Sequence, residues 1–229
     1  MRASWDPALS LNDQYVITGD RHHHLVHVIR IESGESLLLL NGKGLKVTAR
    51  IDSISKKEIR LTHLNHEQFL PSTQIDLALG VPKKEALELS LKQATELGIN
   101  RIYLVRSQYS QIRLPEADRL QQILISALEQ SNSVWMPELI EATWSEIPWS
   151  DFTLALMLDS QSEKRQKNDQ KCFEKALLIV GPEGGFSPEE INYLHAQSQI
   201  EILRLPTPIL RTPTAVATGA GILLGRLLD

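Results

Sequence analysis

Residues 177–190 read LLIVGPEGGFSPEE, and this stretch predicts the architecture around it. Its first four residues are all apolar, which predicts a strand covered on both faces, as in a parallel sheet. Residues 181–185, GPEGG, follow at once and offer bare backbone that a ligand can approach closely. A helix with complete start signals comes next, with Ser187 as N-cap, Pro188 as the first helical residue and Glu190 as the capping-box acid. The pattern favours a binding loop between a buried strand and an anchored helix.

The glycine spacing does not by itself identify a ligand. No Gly-Lys-Ser/Thr follows, so the loop is not a phosphate loop, and glycines at 181, 184 and 185 do not fit the dinucleotide fingerprint. A tight structural turn is the plainer alternative. A second stretch favours the binding interpretation, because residues 202–218, ILRLPTPILRTPTAVAT, predict a short strand, a proline-bent loop and a helix of small residues.

Together, the segments LLIVGPEGGFSPEEI and ILRLPTPILRTPTA resemble the RsmE family of 16S rRNA (uracil-N3) methyltransferases. The likeness extends to HHHLVHVIRIESGESLLLLNGKG near the start of the chain, KQATELGINRI at 92–102 and ALEQS at 127–131. This family belongs to the SPOUT class, which binds S-adenosylmethionine in a C-terminal trefoil knot. The resemblance implies an S-adenosylmethionine-dependent enzyme that methylates N3 of a uridine in 16S rRNA of the small ribosomal subunit.

The resemblance also implies an α/β fold with two domains. Residues 1–70 would form a small PUA-like β-barrel for RNA contact, and residues 71–229 a SPOUT-type, trefoil-knotted parallel-sheet domain. The residues agree with this division: the first 70 predict turn-punctuated β structure, with a hairpin turn at Asn41-Gly42-Lys43-Gly44 and a helix over 21–30 that Asp20 caps. After a linker at 69–73, strands and helices alternate as in a parallel sheet. The predicted strands are 75–79, 102–105, 154–158, 177–180 and 201–203, and the predicted helices include 82–97 and 116–130.

Composition and charge limit the classes of protein that fit. The 229 residues carry a net charge of −4, which argues mildly against a general nucleic-acid binder. The first 70 residues hold nine Lys and Arg against eight Asp and Glu, and six of the seven histidines, so this part presents the more basic face. No apolar run reaches membrane length, the start lacks a signal-peptide core, and the single Cys172 cannot form an internal disulfide. We expect a cytoplasmic protein with no membrane partner.

The resemblance assigns roles to particular residues near the end of the chain. Arg211 is the candidate catalytic residue, because a guanidinium can stabilise charge on a uracil oxygen as N3 loses its proton. Its plainer alternative is a structural hydrogen bond to knot carbonyls. Glu183 or a Thr hydroxyl relays the proton, and the alternative for Glu183 is that it orients the loop. The expected cofactor-binding residues are Leu158, Gly181, Pro182, Glu183, Gly184, Gly185, Leu203, Leu205, Ile209, Leu210, Thr214 and Ala215.

Candidate RNA contacts are basic side chains on predicted helices. His23 and His27 are spaced i, i+4, as in metal-binding pairs, but no acid or cysteine stands beside them at ligand spacing, so we expect no metal. Solvated surface is the plainer alternative for the lysines, and a helix C-terminus favours Arg30 for electrostatic reasons. The predicted RNA-binding residues are Arg21, His23, Arg30, Lys83 and Lys84.

Three positions depart from the pattern of the family. Ser133 and Trp135 stand where arginines are common, and Pro213 replaces the glutamate of the usual LRTETA segment. The arginines and the glutamate of the family pattern are thus both absent here, so a pair of opposite charges is lost together. The change suits the backbone, since Thr212 can cap a helix that has Pro213 as its first residue.

Two further expectations follow from the resemblance and the last helix. The small residues at 215–221 suit close backbone approach, and the family shares an active site between subunits, so we expect a homodimer. The alternatives to the leading function are a SPOUT methyltransferase that acts on tRNA or on a ribose 2′-OH, and a non-catalytic, ribosome-associated RNA-binding protein.

Overall fold

A computed structural model of the chain describes residues 1–71, 74–110, 113–160 and 173–227. The chain divides into two compact units, one of Met1–Ser72 with Ile125–Met136 and one of Thr73–Leu124 with Pro137–Asp229. Sequence reasoning did not anticipate that residues 125–136 group with the N-terminal unit. Two residues of the predicted linker, Ser72 and Thr73, lie outside the described residues, as does Cys172. Within the described ranges, no helix is both long enough and apolar enough to cross a membrane.

The N-terminal unit is built on a curled five-stranded sheet in the order β1-β3-β4-β5-β2. Strand β1 runs parallel to β3, and the other neighbours are antiparallel. Alternate residues of β4 point inward, so that Val47, Ala49 and Ile51 are fully buried. The strands are β1 (Arg2–Trp5), β2 (Gln14–Thr18), β3 (Ser36–Leu40), β4 (Leu45–Ile54) and β5 (Glu58–Gln68).

The hairpin predicted at residues 41–44 is confirmed as the turn between β3 and β4. The Asn41 side-chain oxygen accepts hydrogen bonds from the backbone N–H of Lys43 (2.7 Å) and of Leu45 (3.0 Å). Gly42 and Gly44 take positive φ values of 70° and 92°, which glycine adopts without steric cost. The turn sequence therefore fixes how these two strands pair.

The first helix begins two residues earlier than predicted. Helix α1 (Gly19–His23) has Thr18 at its N-cap position, so the prediction that Asp20 caps it is wrong. The cause is Gly19, whose φ of +64° turns the chain into the helix before Asp20 is reached. The helix continues as a π-helix over His24–Ile29 and ends at Arg30, which adopts the left-handed conformation (φ 58°) common at helix ends.

The C-terminal unit is built on a six-stranded, all-parallel sheet in the order β11-β9-β10-β6-β7-β8. Every residue of β6 and of β10 is buried, as the apolar run at 177–180 predicts for a strand covered on both faces. Strand β8 was not predicted. The strands are β6 (Ile75–Gly80), β7 (Arg101–Val105), β8 (Glu138–Ala142), β9 (Leu154–Leu158), β10 (Ala176–Val180) and β11 (Ile200–Leu203).

Helix α5 (Thr212–Leu227) packs on β9, β10 and helix α2 (Lys84–Glu96). Its Gly219 is needed for this approach, because a Cβ there would lie 2.5 Å from Leu178 Cδ1. The helix predicted over 82–97 is confirmed as α2, and Gly98 follows its end with a φ of 72°. The other helices are α3 (Ala117–Ser131) and α4 (Pro188–His195).

The start of α5 differs from the prediction by one residue. Arg211 stands at the N-cap position, since its carbonyl oxygen accepts from the backbone N–H of Ala215 (2.9 Å). Thr212 is buried in the first turn, and its hydroxyl donates to the carbonyl oxygen of Gly181 (3.3 Å). The prediction of Thr212 as N-cap is therefore wrong, and Pro213 takes the second helical position, where its missing N–H also costs no hydrogen bond.

Candidate cofactor and RNA site

Three neighbouring strands, β11, β9 and β10, end at the same edge of the parallel sheet. Leu158 ends β9 and is the register partner of Leu203, which ends β11. The carboxyl edge of a parallel sheet is where α/β proteins bind ligands. The structure brings the predicted cofactor residues to this edge, since all of them end a strand, follow one or begin α5: Leu158, Gly181, Pro182, Glu183, Gly184, Gly185, Leu203, Leu205, Ile209, Leu210, Thr214 and Ala215.

The glycine loop, residues 181–185, leaves no room for side chains at two points. A Cβ on Gly184 would lie 2.8 Å from Tyr109 Cβ, and a Cβ on Gly80, at the end of β6, would lie 2.6 Å from Pro182 Cδ. The turn is closed by the backbone N–H of Gly185, which donates to the carbonyl oxygen of Pro182 (2.9 Å). The loop is thus a backbone cradle that is packed on Tyr109 at Gly184 and is open at Gly185, where an added Cβ would meet nothing within 4 Å.

Glu183 lies in the glycine loop and contacts the start of helix α2. Both of its carboxylate oxygens accept from the backbone N–H of Lys83, at 3.1 and 3.2 Å. Lys83 is the N-cap residue of α2, where the helix dipole favours a negative charge. This contact favours the interpretation that Glu183 orients the loop. The side chains of Lys83 and Lys84 are exposed beside it.

The carboxylate of Glu190 accepts more hydrogen bonds than those of the predicted capping box. The predicted box is confirmed: Ser187 Oγ accepts from the N–H of Glu190, and Glu190 Oε2 accepts from the N–H of Ser187 (2.8 Å). The same carboxylate also accepts from Ser107 Oγ (3.0 Å), the N–H of Gln108 (3.0 Å) and Trp144 Nε1 (2.9 Å). Burial raises the pKa of Glu190, but these four donated hydrogen bonds outweigh burial and hold the pKa below its ordinary value.

Sequence reasoning missed the partners of Glu190, because they lie far from it along the chain. Ser107 and Gln108 follow β7, and Trp144 follows β8. One signal was available for the first pair: polar residues directly after a predicted parallel strand meet at the carboxyl edge of the sheet. No local pattern marks Trp144, since the strand before it is half exposed and was not predicted.

The proline loop, residues 204–211, is mostly exposed. Residues 206–209 are all exposed, and Ile209 leaves 83% of its surface accessible. Arg211 at its end is exposed too, while the next residue, Thr212, is bonded to Gly181. The backbone of Arg211 is therefore fixed beside the glycine loop, and its guanidinium faces solvent.

The candidate RNA residues of the N-terminal unit lie on or at the end of the first helix. Arg21 forms an ion pair with Asp6 (2.7 Å), and Arg30 is exposed. The rings of His23 and His27 lie 4.6 Å apart. Among the residues that the structure describes, no group of three or more His, Cys, Asp or Glu is placed to hold a metal.

The departures from the family pattern have local roles in the structure. Ser133 Oγ donates to the carbonyl oxygen of Trp135 (3.1 Å), and Trp135 forms an isolated antiparallel bridge with Lys43. Pro213 is buried in the first turn of α5. Each of these residues thus stabilises backbone where the family pattern has charge.

The sheet, the bare loop and the helix that starts beside it define the fold of an RNA methyltransferase. The family model for the RNA methyltransferase domain matches residues 70–224, and that for the RNA methyltransferase PUA domain matches residues 17–62. The chain therefore belongs to the RNA methyltransferase family of the ribosomal RNA small subunit methyltransferases E. The predicted class, a SPOUT-type parallel-sheet domain with a PUA-like domain, is confirmed.

Individual relatives agree with this placement. The ribosomal RNA small subunit methyltransferase E of Rickettsia conorii is 30% identical over 219 residues, covering 92% of this chain and 89% of the relative. A methyltransferase of Legionella pneumophila, solved with bound S-adenosylmethionine, is 25% identical, covers 97% of this chain and 96% of its own, and superposes with a TM-score of 0.81. The ribosomal RNA small subunit methyltransferase E of Neisseria gonorrhoeae, solved with S-adenosylmethionine, shares the fold at a TM-score of 0.85, 23% identity and coverage of 98% and 97%.

Proposed function

We propose that this protein transfers a methyl group from S-adenosylmethionine to N3 of a uridine in 16S rRNA. The observation that carries the proposal is the glycine loop, whose first carbonyl is tied by Thr212 to the start of α5 at the edge where β9, β10 and β11 end. The names of the relatives supply the substrate class, and two solved neighbours hold S-adenosylmethionine. We place the reaction in the cytoplasm, on the small ribosomal subunit.

Backbone groups of the glycine loop and of the proline loop hold the adenosine and methionine parts of the cofactor. The fit rests on the bare backbone of this loop at Gly185, where an added Cβ would meet nothing within 4 Å, so a ligand can approach the main chain there. S-adenosylmethionine supplies an electrophilic methyl group on a sulfonium, so the protein has to supply alignment and a deprotonated N3. The apolar side chains of Leu158, Leu203 and Ile209 exclude water from the bound cofactor.

Arg211 stabilises the charge that develops on a uracil oxygen as N3 loses its proton. Its exposed guanidinium, beside a loop fixed by Thr212, supports this role. N3 is the pairing position of the base, so the uridine must be unpaired or extruded. Glu183 is the candidate for moving the proton, but its bonds to the Lys83 N–H give it first the role of orienting the loop.

The RNA is contacted by basic side chains on both units: Arg21, His23, Arg30, Lys83 and Lys84. The net charge of −4 is unfavourable for gripping free RNA by charge alone. We therefore propose that the substrate is an assembled small subunit, whose preformed surface requires fewer phosphate contacts.

We propose that the protein acts as a homodimer through helices α2 and α5. Leu89 on α2 and Leu227 on α5 are exposed, and a Cβ on Gly221 or on Gly225 would meet nothing within 4 Å. A two-fold interface of standard size buries at least about 1,000 Å². Light scattering at micromolar concentration should give the mass of a dimer, and the mass of a monomer would refute this part of the proposal.

The experiment that tests the function is nucleoside mass spectrometry of rRNA from a strain that lacks the gene. We expect 3-methyluridine to disappear from 16S rRNA and to return with a plasmid copy. Loss of a ribose-methylated nucleoside, or of a tRNA nucleoside, would instead identify the alternative substrate. An unchanged nucleoside profile would favour a non-catalytic RNA-binding protein.

A further inference from the structure

Residues 106–110 form a turn, here called the β7 turn, at the same sheet edge as the glycine loop. They follow β7, which neighbours β6, and β6 in turn neighbours β10. The turn is closed by the N–H of Ser110, which donates to the carbonyl oxygen of Ser107 (2.9 Å), and by the N–H of Ser107, which donates to Ser110 Oγ (3.2 Å). Its backbone is therefore held in one conformation by its own hydrogen bonds.

Glu190 fixes the β7 turn to the glycine loop. One carboxylate accepts from Ser107 Oγ and the Gln108 N–H of the turn, and from the N–H of Ser187, which begins the helix after the glycine loop. The Trp144 indole N–H bonds the same carboxylate from a third segment. The two loops are thus joined through a single side chain, and each is pre-organised relative to the other.

Tyr109 is the side chain that the β7 turn presents beside the candidate cofactor site. The ideal Cβ position of Gly184 lies 2.8 Å from Tyr109 Cβ and 3.6 Å from Tyr109 Cδ2, so the ring stands directly against the glycine loop. Tyr109 is nevertheless 43% exposed, and it is the one aromatic residue among the exposed large apolar side chains in the described part of the chain. An aromatic side chain is therefore partly open to solvent at the edge of the glycine loop.

The β7 turn also carries a cation. The side chain of Arg106 is 75% exposed, and its contact is a 3.4 Å pair with Glu141, which is 62% exposed. Exposed pairs of this kind contribute little, so a phosphate group can replace the carboxylate. An aromatic face next to a replaceable cation is the combination that binds an unpaired nucleotide.

We propose that the target uracil stacks on the ring of Tyr109 and that Glu190 is the positioning residue that holds this ring against the cofactor site. The inference rests on the proposed function, because it assigns the nucleoside of that same reaction to a surface. An extruded base needs a stacking partner in place of its lost neighbours. A base on the Tyr109 ring lies at the rim of the glycine loop, where a transferable methyl group has to meet it.

The first test is photocrosslinking, which does not require methyl transfer. Full-length protein is irradiated with small subunits reconstituted from 16S rRNA that was transcribed with 5-iodouridine in place of uridine, and the crosslinked residue is located by mass spectrometry. We expect a crosslink to Tyr109. A crosslink at other residues only, or no crosslink, would overturn the inference.

The second test separates the nucleoside from the cofactor. Tyr109→Ala should lower kcat/KM for small subunits by about tenfold or more, the scale of one lost stacking contact, and leave the Kd for S-adenosylmethionine within about twofold. Tyr109→Phe keeps the stacking face and should retain kcat/KM within about twofold. If Tyr109→Ala instead weakens cofactor binding and leaves the KM for subunits unchanged, the ring belongs to the cofactor pocket and the inference is wrong.

The positioning role of Glu190 has a matched control in the neighbouring Glu189, which is exposed in the same helical turn. Glu190→Gln should lower the yield of the Tyr109 crosslink and raise the KM for subunits, whereas Glu189→Gln removes the same charge and should change neither. A purely structural role would lower Tm and leave the crosslink yield of folded protein unchanged.

The two proposals fail in different ways. A wild-type protein that crosslinks through Tyr109 but transfers no methyl group to 16S rRNA would contradict the proposed function and uphold the stacking surface. A protein that makes 3-methyluridine but neither crosslinks through Tyr109 nor responds to Tyr109→Ala would uphold the function and overturn the stacking surface.

Discussion

The glycine loop and the proline loop reach the same edge of the sheet, but they are held in different ways. The glycine loop has its turn closed by Gly185, its acid bonded to Lys83 and its first carbonyl bonded to Thr212. The proline loop has four successive exposed residues, 206–209, and two of them are prolines without an N–H to donate. The comparison indicates that the protein's own hydrogen bonds hold the glycine loop in place, whereas we propose that the exposed proline loop takes its final shape around the cofactor.

The largest effect is expected at Arg211, at the end of the proline loop, where we propose that the chemistry occurs. Arg211→Ala should lower turnover by about 100-fold or more, the scale found when one pre-organised charge stabiliser is removed. Cofactor affinity should stay within a few-fold, because the charge faces the uracil. Methyl transfer to purified small subunits, paired with titration calorimetry, measures both.

Arg211→Lys is the control for this prediction, since it keeps the charge but loses the planar fork, and it should recover part of the turnover. If Arg211→Ala abolishes cofactor binding in folded protein, Arg211 belongs to the cofactor pocket or holds the backbone at the start of α5.

The next effect concerns the pre-built loop. Gly184→Val places a branched side chain where an added Cβ alone would lie 2.8 Å from Tyr109 Cβ. The glycine loop therefore has to deform. Affinity for S-adenosylmethionine should fall at least about tenfold, or 1.4 kcal/mol. Calorimetric titration with the cofactor gives the value.

Gly185→Ala sharpens the same prediction, because its Cβ meets nothing within 4 Å but its φ is +72°. It should cost about 1 kcal/mol of unfolding free energy through backbone strain and weaken cofactor binding less than Gly184→Val does. Equal losses of affinity in the two variants would show that strain, and not the lost cradle, is responsible.

A smaller effect is expected within the proline loop. Ile209→Ala removes a side chain that is 83% exposed, so the free energy of unfolding should change by less than about 0.5 kcal/mol. Affinity for the cofactor should still fall about threefold to tenfold, because the side chain is buried only when the loop closes on the ligand. Thermal unfolding without S-adenosylmethionine gives the change in stability, and the same measurement with S-adenosylmethionine gives the change in cofactor affinity. An unchanged affinity would contradict the idea that this loop closes.

The smallest effect is a dependence on pH at Glu190. Its pKa is lower in the folded protein than its ordinary value of 4.5, so its contribution to stability is present above that pH and is lost as the pH falls below it. The difference in unfolding free energy between wild type and Glu190→Gln should therefore shrink from neutral pH to about pH 3. The difference between wild type and Glu189→Gln should shrink less. Equal changes in the two variants would contradict the claim that the hydrogen bonds of Glu190 make stability depend on pH.

Local patterns predicted much of this fold. The apolar run at 177–180, the glycines after it and the Ser187 capping box all express short-range preferences, and each lies where it was predicted. Two of the missed strands, β8 and β1, have physical reasons. Strand β8 (ELIEA) is at the sheet edge and half exposed, so it lacks the apolar run of a buried strand, and β1 is only four residues long.

The site was less accessible to sequence reasoning, because its geometry depends on contacts between distant residues. Glu190 meets Ser107 across 83 positions and Trp144 across 46, and no periodicity encodes such a pair. The position of Tyr109 beside the candidate site is apparent only from its contact with Gly184, which is distant along the chain. The resemblance to a family supplied the function, while the positions of Ser133, Trp135 and Pro213 show that this chain uses backbone support where the family pattern has charge.

The most direct measurement of the central claim is methyl transfer with a labelled cofactor. Purified protein is incubated with S-adenosylmethionine that carries a deuterated methyl group and with small subunits from the deletion strain, and the nucleosides of 16S rRNA are analysed by mass spectrometry. The account predicts deuterated 3-methyluridine with wild-type protein and a strongly reduced amount with Arg211→Ala. Label in a ribose-methylated nucleoside, or no label in 16S rRNA while the protein binds the cofactor, would contradict it.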